Sequence, residues 1–202
     1  MKRFTRLLAV AAFAGALSGC GINAIPTAEE NAKAKFGDLQ AQYQRRADLV
    51  PNLVATVQGF AAQERDVLTQ VTEARARATS VNLDAGDLSD PAKLQQFEAA
   101  QSQLSGALGR LLVVQERYPE LRSSENFLSL QSQLEGTENR ISVARRDYNE
   151  AVRQYNTLRR TFPTVLWANT LYSGSEALQP FEAAPAAQTA PAVSFEQPQP
   201  AQ

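Results

Sequence analysis

Histidine is absent from all 202 residues. That removes the commonest general base, the commonest metal ligand and the usual pH switch near neutrality. Cysteine occurs once, as Cys20, so neither an intrachain disulfide nor a thiolate metal cluster can form. Catalysis would have to rest on carboxylates, Tyr, Lys or Ser. No Gly-rich phosphate loop, nucleophile elbow or Ser/Lys pairing is present to organise them. Positive charge is not in excess: 20 Lys and Arg face 21 Asp and Glu, a net charge of -1. The basic footprint of a general nucleic-acid binder is therefore missing. These gaps predict a protein that is not an enzyme, carries no cofactor or metal and binds no nucleic acid.

What is present begins with an address. Lys2, Arg3 and Arg6 precede the apolar run Leu7–Leu17, and Leu17-Ser18-Gly19-Cys20 follows. The run is about eleven residues, short of the roughly 20 that span a bilayer. The ending resembles a lipobox, in which small residues enter a signal-peptidase cleft and the Cys20 thiol receives a diacylglyceryl group. An ordinary signal peptide with an incidental cysteine, or an uncleaved anchor, are the alternatives. Removing residues 1–19 takes the formal charge from -1 to -4, because Lys2, Arg3 and Arg6 leave with them. Acyl chains contribute about 0.8 kcal/mol per buried CH₂, and two or more anchor stably. The expected location is the cell membrane or outer membrane, with the body exported. Gly21, where an Asp would favour inner-membrane retention, leans towards the outer membrane.

The rest of the chain, 44% hydrophobic overall, is of a length natural for one folded domain. Residues 20–26 read as a tether. Thr27-Ala28-Glu29-Glu30 fits a capping box that opens a helix running to about Ser80. Its seam is Tyr43, Val50, Leu53, Val57, Phe60, Val67, Val71, Ala74 and Ala78, interrupted by Pro51. Pro51 has no amide hydrogen for the Ala47 carbonyl to accept and clashes with it, so the helix either kinks there or restarts with Asp48 as its N-cap. Residues 81–89 are a loop. Asp90-Pro91 caps a second helix through Leu94, Phe97, Gln101, Leu104, Leu108 and Leu111, which stops at Tyr118-Pro119. Ser123 or Ser124 opens a third, whose seam from Phe127 through Leu134, Ile141, Tyr148 and Tyr155 to Phe162 holds a heptad over five repeats. A short last helix spans 164–172 and carries Trp167. The predicted fold is all-α: an elongated antiparallel bundle of three long helices plus a short C-terminal one, packed as in coiled coils, over 27–182. Residues 183–202, rich in Ala, Pro and Gln, read as a disordered tail; Phe181 and Phe195 are brief sticking points or, more often, simply exposed.

Several stretches, in order, resemble the LemA family: Tyr43-Gln44-Arg45-Arg46-Ala47-Asp48-Leu49-Val50-Pro51-Asn52-Leu53, Glu64, Arg75-Ala76-Arg77 and Glu116-Arg117-Tyr118-Pro119-Glu120-Leu121. The strongest runs from Thr137-Glu138-Asn139-Arg140-Ile141 through Ala144-Arg145-Arg146-Asp147-Tyr148-Asn149 to Tyr155-Asn156 and Phe162-Pro163. The likeness covers about 28–181. It implies an elongated helical bundle attached to a membrane, no catalytic activity, and action beside membrane proteases or in organising membranes. The family's usual N-terminal transmembrane helix is replaced here by the lipobox, so the side and the membrane are left open.

Polar residues on or beside the seams need partners. Glu64 sits seven residues from Val57, and its candidate partners are Arg75, Arg140 and Arg145. Glu138 and Arg145 share one face of the third helix, and Asn149 and Asn156 another. Pairs that fix helix register are the plainer reading; a partner surface or a hard-cation site are the functional ones. Arg45-Arg46-Ala47-Asp48 and Arg145-Arg146-Asp147 read as solvated faces. The expected function is a non-catalytic, lipid-anchored scaffold or adaptor with a protein partner, a membrane protease among the candidates. The alternatives are a self-assembling homo-oligomer or a module binding lipid or cell wall.

Overall fold

A computed structural model of the chain describes residues 21–182. The expected signal peptide, Cys20 and the tail from 183 lie outside that range. Within it the protein is all-α, with no strand among the described residues.

Helix α1 spans Ala24–Phe60 and is 37 residues long, about 56 Å at 1.5 Å per residue. It begins one turn before the expected start. The Thr27 amide already bonds the Asn23 carbonyl, so the capping box at Thr27 does not form and Pro26 falls in the tolerated first turn. Pro51 neither breaks α1 nor restarts it. The Ala47 carbonyl, which Pro51 cannot reach, accepts a hydrogen bond of 2.8 Å from Arg75 Nε on the following helix. A neighbour thus replaces the missing backbone donor, and the helix continues. Asp48 stays a helical surface residue, accepting from Gln44 at 2.7 Å.

The first helix does not reach Ser80. It ends at Phe60, the Ala61 amide closing on Val57 and the Glu64 amide on Ala61, and α2 (Arg65–Ser80) folds back along α1. The expected long helix is a hairpin, because α2 must bring Leu68, Val71, Ala74 and Ala78 against Leu104, Ala107, Leu108 and Leu111 of the next helix. That helix, α3 (Pro91–Val114), starts as expected: the Asp90 carboxylate accepts from the amides of Ala92 and Lys93. A 3₁₀ turn at Gln115–Arg117 and the single turn α4 (Pro119–Arg122) lead into α5 (Glu125–Leu158), 34 residues and about 51 Å long. Ser124 occupies the N-cap of α5 without a side-chain bond. The short α6 (Thr164–Thr170) then closes the end where α1 began.

The architecture is therefore four antiparallel helices, two long and two shorter, where the sequence predicts three long ones. The core falls into two clusters. Phe36, Tyr43, Phe97, Ile141 and Tyr148 belong to one; Val50, Leu104, Leu111, Phe127 and Leu134 belong to the other. Between them lies a polar layer centred on Arg46.

The Arg75–Ala47 bond exists because residue 51 has no amide hydrogen. Arg75→Ala is expected to cost about 1–2 kcal/mol in urea unfolding, the penalty for an unpaired carbonyl. In a Pro51→Ala background the new amide supplies the donor, and the same substitution should cost markedly less. Equal costs in both backgrounds would contradict the assignment.

Candidate functional site

The polar residues singled out along the sequence do not converge on one point. They divide into a clamp on α5, a buried layer at mid-bundle, and isolated bonds.

The clamp holds the chain after α6. Residues 175–182 are not helical and run back along α5 as an extended strap. Asn156 Oδ1 accepts from the Leu178 amide at 3.1 Å, and Asn156 Nδ2 donates to the Leu178 carbonyl at 2.8 Å. Asn149 treats Phe181 identically, at 2.8 and 2.9 Å. Each carboxamide thus stands where the peptide group of a neighbouring β-strand would. The register is set by length: seven helical residues advance about 10.5 Å and three extended ones about 10 Å, so a heptad on α5 matches a tripeptide on the strap. Tyr155 and Tyr148, also seven apart, keep the same ratio, donating to the carbonyls of Glu176 and Gln179 at 2.9 Å each. Arg159 donates to the Ser175 carbonyl, and Arg145 to that of Glu182. The strap's Gln179 amide reaches across to the Leu88 carbonyl at 2.9 Å.

Phe181, expected to be exposed, is 4% exposed. Its ring lies 5.2 Å from that of Tyr148 and 6.4 Å, nearly parallel, from that of Phe36, and the Arg145 guanidinium sits 5.3 Å from its centroid. Arg145 is therefore half-buried, while Arg146 and Asp147 are exposed as the sequence suggests. Besides the strap it pairs with Glu98 at 2.9 Å, and burial pushes the Glu98 carboxyl up against the opposing pull of Arg145. Burial likewise pushes the phenols of Tyr148, Tyr155 and Tyr43 up from their ordinary value.

The mid-bundle layer is built on Arg46, which is 1% exposed although Arg45-Arg46-Ala47-Asp48 reads as a solvated face. Arg46 Nη1 donates to Ser105 Oγ at 2.6 Å and Glu138 Oε1 at 2.9 Å; Nη2 donates to the Gln101 carbonyl at 3.1 Å and Gln101 Oε1 at 2.7 Å. Its guanidinium carbon is 5.2 Å from the Tyr43 ring centroid, and Gln101 Nε2 passes the network on to the Ala78 carbonyl at 3.1 Å. Glu138, which shares a helix face with Arg145, pairs with Arg46 from α1, because the antiparallel packing of α1 on α5 sets positions 46 and 138 level. Arg46 has a sequence signal: it lies three residues after Tyr43 and four before Val50, on the buried stripe.

Glu64 lies at the α1–α2 turn, where it accepts from Tyr118 at 2.9 Å and Arg117 at 3.0 Å, not from Arg75, Arg140 or Arg145. The hairpin carries it away from the seam its spacing suggests. Arg75 serves Ala47. Arg140 is exposed on an open groove between α1 and α5, with Lys35, Asp38, Gln42 and Asn139 around it. Among the described residues no three His, Cys, Asp or Glu side chains are placed to hold a metal ion. The arrangement holds backbone in place.

An antiparallel all-α bundle with a clasped C-terminal strap is the class of protein these features define. The LemA family profile matches residues 35–195, most of the chain, and the protein belongs to the LemA family. It is 25% identical over 183 residues to the magnetosome protein MamQ of Magnetospirillum gryphiswaldense, covering 83% of this chain and 66% of that one. It is 26% identical over 150 residues to MamQ 1 and MamQ 2 of Paramagnetospirillum magneticum, covering 66% of this chain and 55% of theirs. The chain thus spans just over half to nearly two thirds of the length of these relatives.

Tyr148→Phe removes the hydroxyl that holds the Gln179 carbonyl and should cost about 1 kcal/mol near neutral pH. The folded protein keeps this phenol neutral above its ordinary pKa of 10.0, whereas the unfolded chain ionises there. This contribution is intact below pH 10 and is lost as pH rises beyond it, so the wild-type advantage should shrink above pH 10. An advantage constant across urea titrations from neutral to strongly alkaline pH would contradict the burial of this group.

Proposed function

We propose that the protein is a lipid-anchored, non-catalytic helical scaffold of a bacterial envelope, acylated at Cys20 and presenting its bundle to a protein partner. The observation that carries this reading is the position of the sole cysteine. It closes the lipobox-like Leu17-Ser18-Gly19-Cys20 and immediately precedes Gly21, which packs on the end of the bundle. Among the described residues no helix is long and apolar enough to cross a membrane, so attachment in this reading falls to the acyl group. Membership of the LemA family, and relatives named for the magnetosome, support a role at a membrane.

The scaffold part of the reading rests on how the polar side chains are used. Arg46, Arg75, Asn149 and Asn156 are committed to backbone carbonyls and amides, and Arg46 also to the side chains of Gln101, Ser105 and Glu138. A bundle so internally committed keeps its shape. Apolar exposure at the end away from Gly21, at Phe60, Val113 and Leu128, gives a partner something to bury. A membrane protease or another envelope protein fits that role; a second copy of the chain is the alternative, distinguished by crosslinking in intact cells with identification of the captured chain.

In its native host, Cys20→Ala is expected to abolish acyl mass at the N-terminus and shift the protein from the membrane fraction to the soluble or precursor pool. Wild-type protein without an acyl group, or membrane retention unaffected by the substitution, would refute the anchor.

A further inference from the structure

The end of the bundle that carries α6 holds large apolar side chains that none of the described residues covers. Phe162 is 80% exposed, Leu166 54% and Leu171 58%. Buried neighbours do not need them: the inner side of α6 is already supplied by Thr164 and Ala168. Apolar exposure alone does not mark this end, since Phe60, Val113 and Leu128 at the opposite end are exposed to 42%, 65% and 49%. What distinguishes it is the path of the chain. The sequence predicts a slack tether over 20–26, but α1 starts at Ala24 and Gly21 is seated on α6. A Cβ added at Gly21 would lie 3.2 Å from Thr164 Cγ2 and 3.9 Å from Trp167 Nε1.

We infer that this end of the bundle rests directly on a lipid surface, with Phe162, Leu166 and Leu171 buried at the boundary between headgroups and acyl chains. The inference rests on the anchor at Cys20 proposed above. Consecutive Cα atoms are about 3.8 Å apart, so an acylated residue 20 leaves no linker by which α6 could stand clear of the bilayer. Side chains that would be a solubility liability in water become the contact the anchor enforces. Charge plays the smaller part. Arg160 is exposed, but Lys33 is tied to Glu29 and Glu30, and Arg159 is spent on the Ser175 carbonyl. With signs mixed, the attraction is apolar, and contact should persist on zwitterionic lipid and at raised salt. The bundle then projects outward along α1 and α5, presenting Phe60 and Val113 roughly 50 Å from the surface at 1.5 Å per helical residue.

Trp167 is the only tryptophan of the chain and lies in α6, so it reports on this contact without a label. The test uses full-length protein processed in its host, reconstituted into phosphatidylcholine vesicles with and without lipids brominated near the headgroup. Brominated lipid is expected to quench Trp167 emission in the wild type. In Phe162→Ser/Leu166→Ser/Leu171→Ser, with helical circular dichroism unchanged, the protein should still float with the vesicles, but this end no longer sinks among the headgroups and quenching falls clearly below that of the wild type. An acylated, vesicle-bound wild type whose Trp167 is unquenched, or a folded triple variant quenched as strongly as wild type, overturns the placement alone. Absence of acyl mass on Cys20 overturns the anchor and this placement with it.

Discussion

Three helices, α1, α3 and α5, meet on one buried cation. Arg46 is enclosed by α1, α3 and α5, and its guanidinium bonds side chains or backbone of Ser105, Gln101 and Glu138. Burying a guanidinium is expensive unless its donors are met, so only a register that sets Gln101, Ser105 and Glu138 level with position 46 is tolerable. A sliding of one helix by a turn would keep apolar seams in contact, since those seams repeat, but would strand the arginine. The layer also divides the core. Tyr43, Phe97 and Ile141 lie on one side, and Val50, Leu104 and Leu134 on the other. Glu138 is at the rim, its side chain 41% exposed, so the hydrogen bonds to Gln101 and Ser105 weigh as heavily as the ion pair.

A second theme follows from the same economy: side chains take over the work of missing backbone partners. Arg75 replaces the amide that Pro51 lacks, and α1 stays continuous. Asn149 and Asn156 replace the adjacent strand that an extended strap would otherwise need, which lets a non-helical segment pack on a helix without orphaned peptide groups. The strap in turn brings Phe181 into the aromatic cluster of Phe36, Phe97 and Tyr148. Apart from Arg140, the polar residues singled out in sequence act in space as fasteners. What they fasten is a rigid body whose two apolar ends face different surroundings in the reading offered here: lipid beside Gly21, and a protein partner at the other.

The all-α class, the start of α3 at Asp90 and the heptad of α5 were legible because three-four spacing and capping chemistry act locally. The α1–α2 turn was not. Val57, Phe60, Glu64, Val67 and Val71 keep helical spacing straight through it, and Gly59 is the one weak breaker nearby. The turn is imposed from outside, by the face of α3 that α2 covers. Arg46 was hidden by its company, since a run of two arginines and an aspartate reads as surface, although its step from Tyr43 and to Val50 places it on the buried stripe. Leu178 and Phe181 left no signal of period, because an extended strap held by backbone bonds has none. Asn149 and Asn156 were recognisable as a pair sharing a face, but what that face grips lies 32 and 22 residues on.

The central claim is that Arg46, and not the arginine beside it, fixes the alignment of the helices. Urea unfolding of Arg46→Ala against Arg45→Ala, which differ by one position and share the same chemistry, tests this most directly. Loss of the buried guanidinium leaves the Gln101 and Ser105 acceptors unpaired and should cost about 2–4 kcal/mol at position 46, while the exposed position 45 should change stability by less than about 0.5 kcal/mol. Equal and small losses at both would contradict the account.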